Sequence, residues 1–267
     1  MVSLVLLQSG QSSFTQVALE AVQAGELVPG EIIVVDNGST DESDVNWLRN
    51  GRVRLIEIGT NLGYHGGINV GWKAAQGDYI VLCNNDAILS KHCLSRLCRA
   101  MDANPDAGWL GAYISTGVWS NKHNFPNEVE DELTSSHGRN RESLNRWSES
   151  LGDRPMVEWT GIIDDCVVMV RRQASSKVGY FCRKLAYGHH THDYGMRLTL
   201  AGYRTGGCPN AVAWHKAGSP TVNASGKWMR TLESAQVANA TMIERWGSNW
   251  PGLAMKEGVK WEDLWEA

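Results

Sequence analysis

Thr60–Asp86 reads TNLGYHGGINVGWKAAQGDYIVLCNND, a helix followed by a strand of a parallel sheet. A glycine-rich segment leads into a helix that should stop near Gly77. A short apolar strand follows, Tyr79–Cys83, and ends on three polar residues, Asn84-Asn85-Asp86. Upstream, Val2–Leu7 is a continuous apolar run, the pattern of a strand buried on both faces of a parallel sheet. Phe14, Val17, Ala18, Ala21 and Val22 then fall on one helical face, with Ser12 or Ser13 as N-cap. Glu31–Asp36 is a second strand running into the polar turn NGSTDES. A short helix near Asp44–Asn50 and a third strand, Val53–Ile58, complete this side. Downstream, Ser90 opens a helix with Leu94, Leu97, Cys98 and Met101 on one face and Pro105 beyond its end. Strand and helix alternate over the first 110 residues, which predicts an α/β fold with a mostly parallel central sheet and right-handed crossovers. In such sheets a ligand lies beyond the carboxyl ends of the strands, where Asp36 and Asp86 both sit.

The rest of the chain changes character. Residues 119–156 are polar and charged and read as a surface excursion, a mobile lid or part of an acceptor site. Val157–Arg172 contains the β-rich stretch CVVMV, and GHHTHDYGMRLTLAGY leads into a helix ended by Gly202. Ala211–Trp214 is a last strand, closed by His215. From Lys227 to Trp246, residues Trp228, Leu232, Ala235, Met242 and Trp246 keep helical spacing. The expected organisation is a domain over 1–218, divided into halves 1–115 and 116–218, with a helical extension over 219–267 packing on it.

Composition narrows the class. The chain has 267 residues, 42% apolar and 20% charged, which excludes a disordered, collagenous or coiled-coil protein. Net charge is −4 with no Lys/Arg run, so a nucleic-acid partner is not expected. MVSLVLLQSG lacks the basic segment and the length of a signal peptide or membrane span. Cys83, Cys93, Cys98, Cys166, Cys182 and Cys208 form no CxxC, which suggests reduced thiols in a cytoplasmic protein and no zinc site. The anomaly is 12 Trp against 3 Phe and 7 Tyr. Six of these, Trp214, Trp228, Trp246, Trp250, Trp261 and Trp265, fall in the last 54 residues and read mainly as packing of a C-terminal layer or a dimer contact. Trp72 reads as core, and Trp119, Trp159 and Trp214 are candidate sugar-stacking residues.

Three dispersed pieces carry chemistry. Asp36 in VVDNGSTDES either accepts hydrogen bonds from a base or ribose or closes an Asx-type turn. The glycines of the second piece free backbone N–H groups for phosphate or sugar oxygens, although there is neither GxGxxG nor GKS/GKT. Asp86 either closes a turn or holds a divalent cation together with substrate phosphates. His215 at a neighbouring strand end makes a mixed imidazole–carboxylate pair with it, which suits Mn²⁺.

IIVVDNGSTD, NLGYHGGINVGWKAAQGDYIVLCNND, YGMRLTLAGY and AVAWH, in this order, resemble family 2 glycosyltransferases of the GT-A fold over about residues 2–115 and 157–218. Within the family the likeness is to rhamnosyltransferase and galactofuranosyltransferase branches, and ERWG near Trp246 is similar to a helix end of that group. The resemblance implies an inverting transferase that uses a UDP-, dTDP- or GDP-linked sugar and Mn²⁺ or Mg²⁺. It implies Asp36 as base contact, with Asp86 and His215 as metal ligands. Asn61, Gly66, Gly67, Asn69 and Asn85 are donor-side candidates. The acceptor is a saccharide, a glycolipid or a protein hydroxyl.

One departure matters. The acidic pair expected before the YGxR-like segment is replaced by His190 and Thr191. Asp193, His190 and Asp165 (with its neighbour Asp164) are therefore the candidate bases, since an unperturbed imidazole titrates near pH 6.5. The lost pair also leaves open a catalytically impaired domain that only binds a nucleotide sugar or a partner. A nucleotidyltransferase is the other alternative, although LLQSGQSS lacks the basic residues such a loop would carry.

Overall fold

The structure is a computed structural model that describes residues 1–49, 51–115, 125–161, 163–185, 189–216 and 232–250. Among these, nine strands form one sheet in the order β3-β2-β1-β4-β8-β6-β9-β5, with β7 paired to β9. The strands are β1 (Val2–Gln8), β2 (Glu31–Asp36), β3 (Arg54–Glu57), β4 (Tyr79–Asn84), β5 (Ala87–Leu89), β6 (Ala107–Ile114), β7 (Glu158–Trp159), β8 (Val167–Arg171) and β9 (Arg204–His215). The helices are α1 (Ser12–Gln23), α2 (Ser43–Arg49), α3 (Gly63–Ala74), α4 (Cys93–Ala103), α5 (Asn127–Ser136), α6 (Glu142–Ser150), α7 (Arg172–Val178), α8 (His190–Leu200) and α9 (Leu232–Trp246).

Pairing in the first half is parallel, β3-β2-β1-β4, as the alternation of elements predicts. β8 then enters antiparallel between β4 and β6, so the full sheet is mixed. Six strands run one way and β5, β7 and β8 run the other. Consequently the ends of β1, β2, β4 and β9 share one edge with the start of β8. That edge carries Asp36, Asn84–Asp86, Asp165 and His215.

α3 lies close on this half because its glycines face the strands. A Cβ at Gly71 would stand 2.4 Å from Val5 Cγ1 and 2.6 Å from Val35 Cγ2. On α4, Leu94, Leu97, Cys98 and Met101 are buried as their spacing predicts. α1 departs from expectation at its start. Gln11 takes the cap position in the left-handed region, and neither serine side chain caps the helix. Asp44 of α2 accepts from the Ser12 N–H instead, at 3.1 Å.

Two further elements differ from the sequence expectation. Within the polar excursion, residues 127–150 hold α5 and α6 rather than a loop. Each carries a narrow apolar stripe hidden among charges: Val129, Leu133 and Leu144 are buried, and Trp147 packs on Phe125 and Tyr113 at 4.8 and 5.8 Å. The last strand is also longer than Ala211–Trp214, because TGGCPN reads as a turn but is sheet. Pairing jumps from Ala112↔Cys208 to Tyr113↔Val212, so Pro209 falls in a bulge where its missing N–H costs no ladder bond. Buried Arg96 of α4 holds this bulge through Asn210 O at 2.7 Å and α6 through Ser148 O at 2.7 Å.

Trp72 and Trp109 are core residues, packed edge-on or tilted against Tyr194 at 5.2 and 5.0 Å. Phe181 extends this aromatic bed to His190, 5.2 Å away. On the other side of α8 a second cluster of Leu185, Met196, Ala238, Met242 and Trp250 joins α8 to α9.

Candidate active site at the carboxyl edge of the sheet

The edge contains three groups of side chains. The first surrounds Asp36, which is buried at the end of β2. Its carboxylate accepts from the Ser39 hydroxyl and from the Ser39 N–H at 3.2 Å, while Ser39 Oγ accepts from the Gly10 N–H at 2.8 Å. The Asx-type turn is therefore real. A carboxylate has about four acceptor positions, so the turn leaves room for a ligand donor. Asn37 and Asn61 join the neighbouring loops. Asn37 Nδ2 donates to Asn61 Oδ1 at 3.1 Å and to Gly63 O at 3.2 Å, and its Oδ1 accepts from the Leu62 N–H at 2.9 Å. Asn61 Nδ2 reaches Ser9 Oγ at 3.3 Å. The loops after β1, β2 and β3 thus form one hydrogen-bonded wall. Ser39 and Asn37 were not singled out from the sequence; their signal was only their place one to three residues beyond a strand that ends on Asp.

Other expected donor residues have different work. A Cβ at Gly67 would lie 2.5 Å from Leu7 Cδ1, so this glycine permits the close approach of α3 to β1. A Cβ at Gly66 would lie 2.6 Å from Leu62 Cβ and 3.7 Å from the Arg183 guanidinium. Asn69 uses both ends of its amide on the Phe181 backbone, donating at 2.9 Å and accepting at 3.2 Å, and so ties α3 to that segment. Asn85 Nδ2 donates to Thr15 Oγ1 at 3.2 Å, linking the end of β4 to α1.

The second group is Asp86 with His215. Antiparallel pairing of β5 and β9 sets Ala87 opposite His215, and His215 Nε2 lies 3.2 Å from Asp86 Oδ1. The Lys216 N–H donates to Asp86 O at 3.1 Å and fixes the backbone there. One carboxylate and one imidazole, both only partly exposed, fit a divalent cation whose other positions come from phosphate oxygens and water. Among the described residues no cluster of three or more His, Cys, Asp or Glu side chains forms a self-sufficient metal site.

The third group is His190 with Asp165. His190 opens α8, Asp165 precedes β8, and Nε2 meets Asp165 Oδ2 at 2.8 Å. Asn84 N–H donates to Cys166 O at 2.9 Å, extending the β4–β8 pairing to the residue after Asp165. Burial alone would raise the Asp165 carboxyl. The facing His190 ring, by charge and hydrogen bond, outweighs it and holds the carboxyl down at about 2. His65 lies against His190 at 4.2 Å, and burial followed by His190 pushes it down to about 3, so it stays neutral. Nothing marks His65 along the chain, since only tertiary packing sets it beside His190.

Asp193, the remaining base candidate, is elsewhere. It is fully buried, and Arg197 lies at 2.9 Å from its Oδ2. Arg245 Nε lies at 2.8 Å from its Oδ1, to which Trp246 Nε1 also donates at 3.1 Å. Both oxygens are engaged by donors from α8 and α9, so this carboxylate ties the two helices together. The stacking candidates fare similarly. Trp214 is buried in the core. Trp159 pairs with Gly206, nine residues or roughly 30 Å of extended strand from His215, and the Arg204 guanidinium covers one face at 3.6 Å. Trp119, Trp228, Trp261 and Trp265 lie outside the described residues. Trp246 and Trp250 do pack the C-terminal layer, on Asp193 and in the second cluster.

The mixed α/β sheet flanked by helices has the GT-A glycosyltransferase fold. The chain belongs to glycosyl transferase family 2, whose profile matches residues 12–179. Over 211 residues it is 28% identical to N-acetylglucosaminyl-diphospho-decaprenol L-rhamnosyltransferase of Mycobacterium tuberculosis, covering 72% of this chain and 68% of that one. In fold it resembles mannosyltransferase PcManGT of Pyrobaculum calidifontis, solved with GDP-Man and Mn²⁺, with a TM-score of 0.59 at 18% identity. It also resembles GalNAc-T7, solved with UDP, GalNAc and Mn²⁺, with a TM-score of 0.67 at 12% identity. These likenesses cover 82% and 94% of this chain but only 57% and 49% of the two solved chains. Among the described residues no helix is long and apolar enough to cross a membrane.

Proposed function

We propose that the protein transfers a sugar from a nucleoside-diphosphate donor to an acceptor hydroxyl with inversion at the anomeric carbon, in a metal-dependent reaction. The observation that carries this reading is the pair of dyads, Asp86–His215 and Asp165–His190, at the same sheet edge as buried Asp36. Asp36 and the Asn37–Asn61 wall would hold the nucleoside, and Asp86 and His215 would hold Mn²⁺ or Mg²⁺. When bound, the cation would supply charge neutralisation for the departing diphosphate. The Asp165–His190 couple would take the acceptor proton, with each partner orienting the other. A buried carboxylate beside an imidazole keeps the positive charge that protonation creates close to a negative one. This couple supplies what the missing acidic pair would, which favours an active transferase over an impaired one.

The rhamnosyltransferase relative acts on a polyprenyl-diphosphate sugar, which supports a glycolipid among the acceptor classes. UDP-, dTDP- and GDP-linked sugars are the donors to test. Release of nucleoside diphosphate from such a panel, with Mn²⁺ and with chelator, tests the reading. Metal-dependent release with one donor and a product of inverted configuration by NMR is expected. Equal release with chelator contradicts the metal role, and a retained configuration contradicts inversion.

A further inference from the structure

We infer that α9 is a positioning element for the proposed base. Through Asp193, Arg245 and Trp246 set the place of the first turn of α8 and therefore of His190. This rests on the reading of His190 and Asp165 given above. His190 is the first residue of α8, and Asp193 lies three residues on, its N–H donating to His189 O at 2.9 Å. The two carboxylate oxygens of Asp193 have different sources of support. Oδ2 is held from within α8, by Arg197 Nε at 3.0 Å. Oδ1 is held from α9, by Arg245 Nε at 2.8 Å and Trp246 Nε1 at 3.1 Å. Arg197 also donates to Val178 O and Tyr180 O at 2.5 and 2.8 Å, which ties the same carboxylate to the end of α7 and the segment after it.

α9 grips the chain on both sides of residues 186–188. Before them, Arg245 Nη1 reaches Cys182 Sγ at 3.8 Å, and Leu185 packs with Ala238 and Met242. After them, Trp250 packs on the rings of His189 and His192 at 4.5 and 5.5 Å. His190 is thus bracketed by residues that α9 and Trp250 hold. Its own ring has one hydrogen-bond partner among the described residues, Asp165, so a small shift of the helix start would break the dyad.

The test uses the full chain with Arg245→Ala, Trp246→Phe and Arg245→Lys. The Arg245 side chain is 36% exposed, so truncating it should leave the protein folded. Arg245→Ala should lower kcat about ten-fold to a hundred-fold, the scale of a displacement of about 1 Å at a reacting group. The Kd for the nucleoside diphosphate with Mn²⁺ should stay within about two-fold, because that site lies on other elements. Arg245→Lys should restore part of kcat, since an ammonium still pairs with Oδ1. Independently of turnover, the ring NMR signals of His190 should move in Arg245→Ala and return towards wild type in Arg245→Lys. Unchanged His190 signals, or a kcat that falls only with the folded fraction, overturn the inference. A wild-type chain that turns over no nucleotide sugar overturns the function reading instead, and the His190 signals still decide the positioning.

Discussion

Asp165, at the entrance to β8, meets one imidazole; Asp193, on α8, meets two guanidiniums and an indole. Both carboxylates lie beside α8, and both are candidates for proton transfer in the sequence. Asp165 keeps part of its surface, 22% of the side chain, open to what binds at the sheet edge, whereas Asp193 has none. A carboxylate with one neutralising neighbour and an open side can exchange a proton with a substrate. Asp193 lies closed between two arginines and an indole that engage both its oxygens, with no side open to a substrate. The chemistry of an acid is decided by what closes over it. For Asp193 that is Arg245 and Trp246 of α9, more than 50 residues further along the chain.

The largest expected effect separates the two regions directly. Asp165→Asn should lower kcat by about 10²–10⁴-fold, the range for losing a general-base function, while its loss in urea unfolding stays smaller than that of Asp193→Asn. Asp193→Asn should show the opposite emphasis. Leaving Arg197 and Arg245 without their counter-charge should cost about 3–5 kcal/mol in the same urea measurement. If the two variants lose stability equally and activity equally, the distinction between the regions fails.

Acid should weaken both regions, for separate reasons. Burial pushes His65 down to about 3 and His192 down to about 4, so the unfolded chain binds protons that the folded one does not. Stability contributed by these neutral rings is complete above the unfolded value near 6.5 and declines as pH falls towards 4. Asp165 adds a loss only below its unfolded value near 4. Thermal midpoints between pH 7 and pH 4 should therefore fall, and His192→Gln should flatten that fall. A midpoint that rises towards pH 4 contradicts the assignment. Trp246→Phe is the smallest step, the removal of one indole hydrogen bond to Asp193, with about 1 kcal/mol expected in unfolding.

The parallel half of the fold was legible in the sequence because β1, β2 and β4 are continuous apolar runs that end on polar residues, a pattern set by burial on both faces. Asp36, Asp86 and His215 were legible for the same reason: a polar residue closing an apolar strand sits at the carboxyl edge whatever its partners. α5 and α6 were hidden because their stripes are two or three residues wide against the charged remainder. The first half of β9 was hidden because Gly206, Gly207 and Pro209 signal turns, while here they admit β7 and a bulge. The roles of Asp193 and Asp165 were not legible. They depend on Arg245, Trp246 and His190, which only the packing of α9 and α8 brings to them.

In the proposed reaction the sheet edge holds a nucleoside diphosphate through a divalent cation on Asp86 and His215. Isothermal titration of UDP, dTDP and GDP, with and without Mn²⁺, into the wild type and into Asp86→Ala tests it most directly. One nucleotide should bind the wild type at least about ten-fold more tightly with Mn²⁺, a difference of about 1.4 kcal/mol, and Asp86→Ala should lose that gain. The same affinity with and without Mn²⁺, or a full metal-dependent gain in Asp86→Ala, would contradict it.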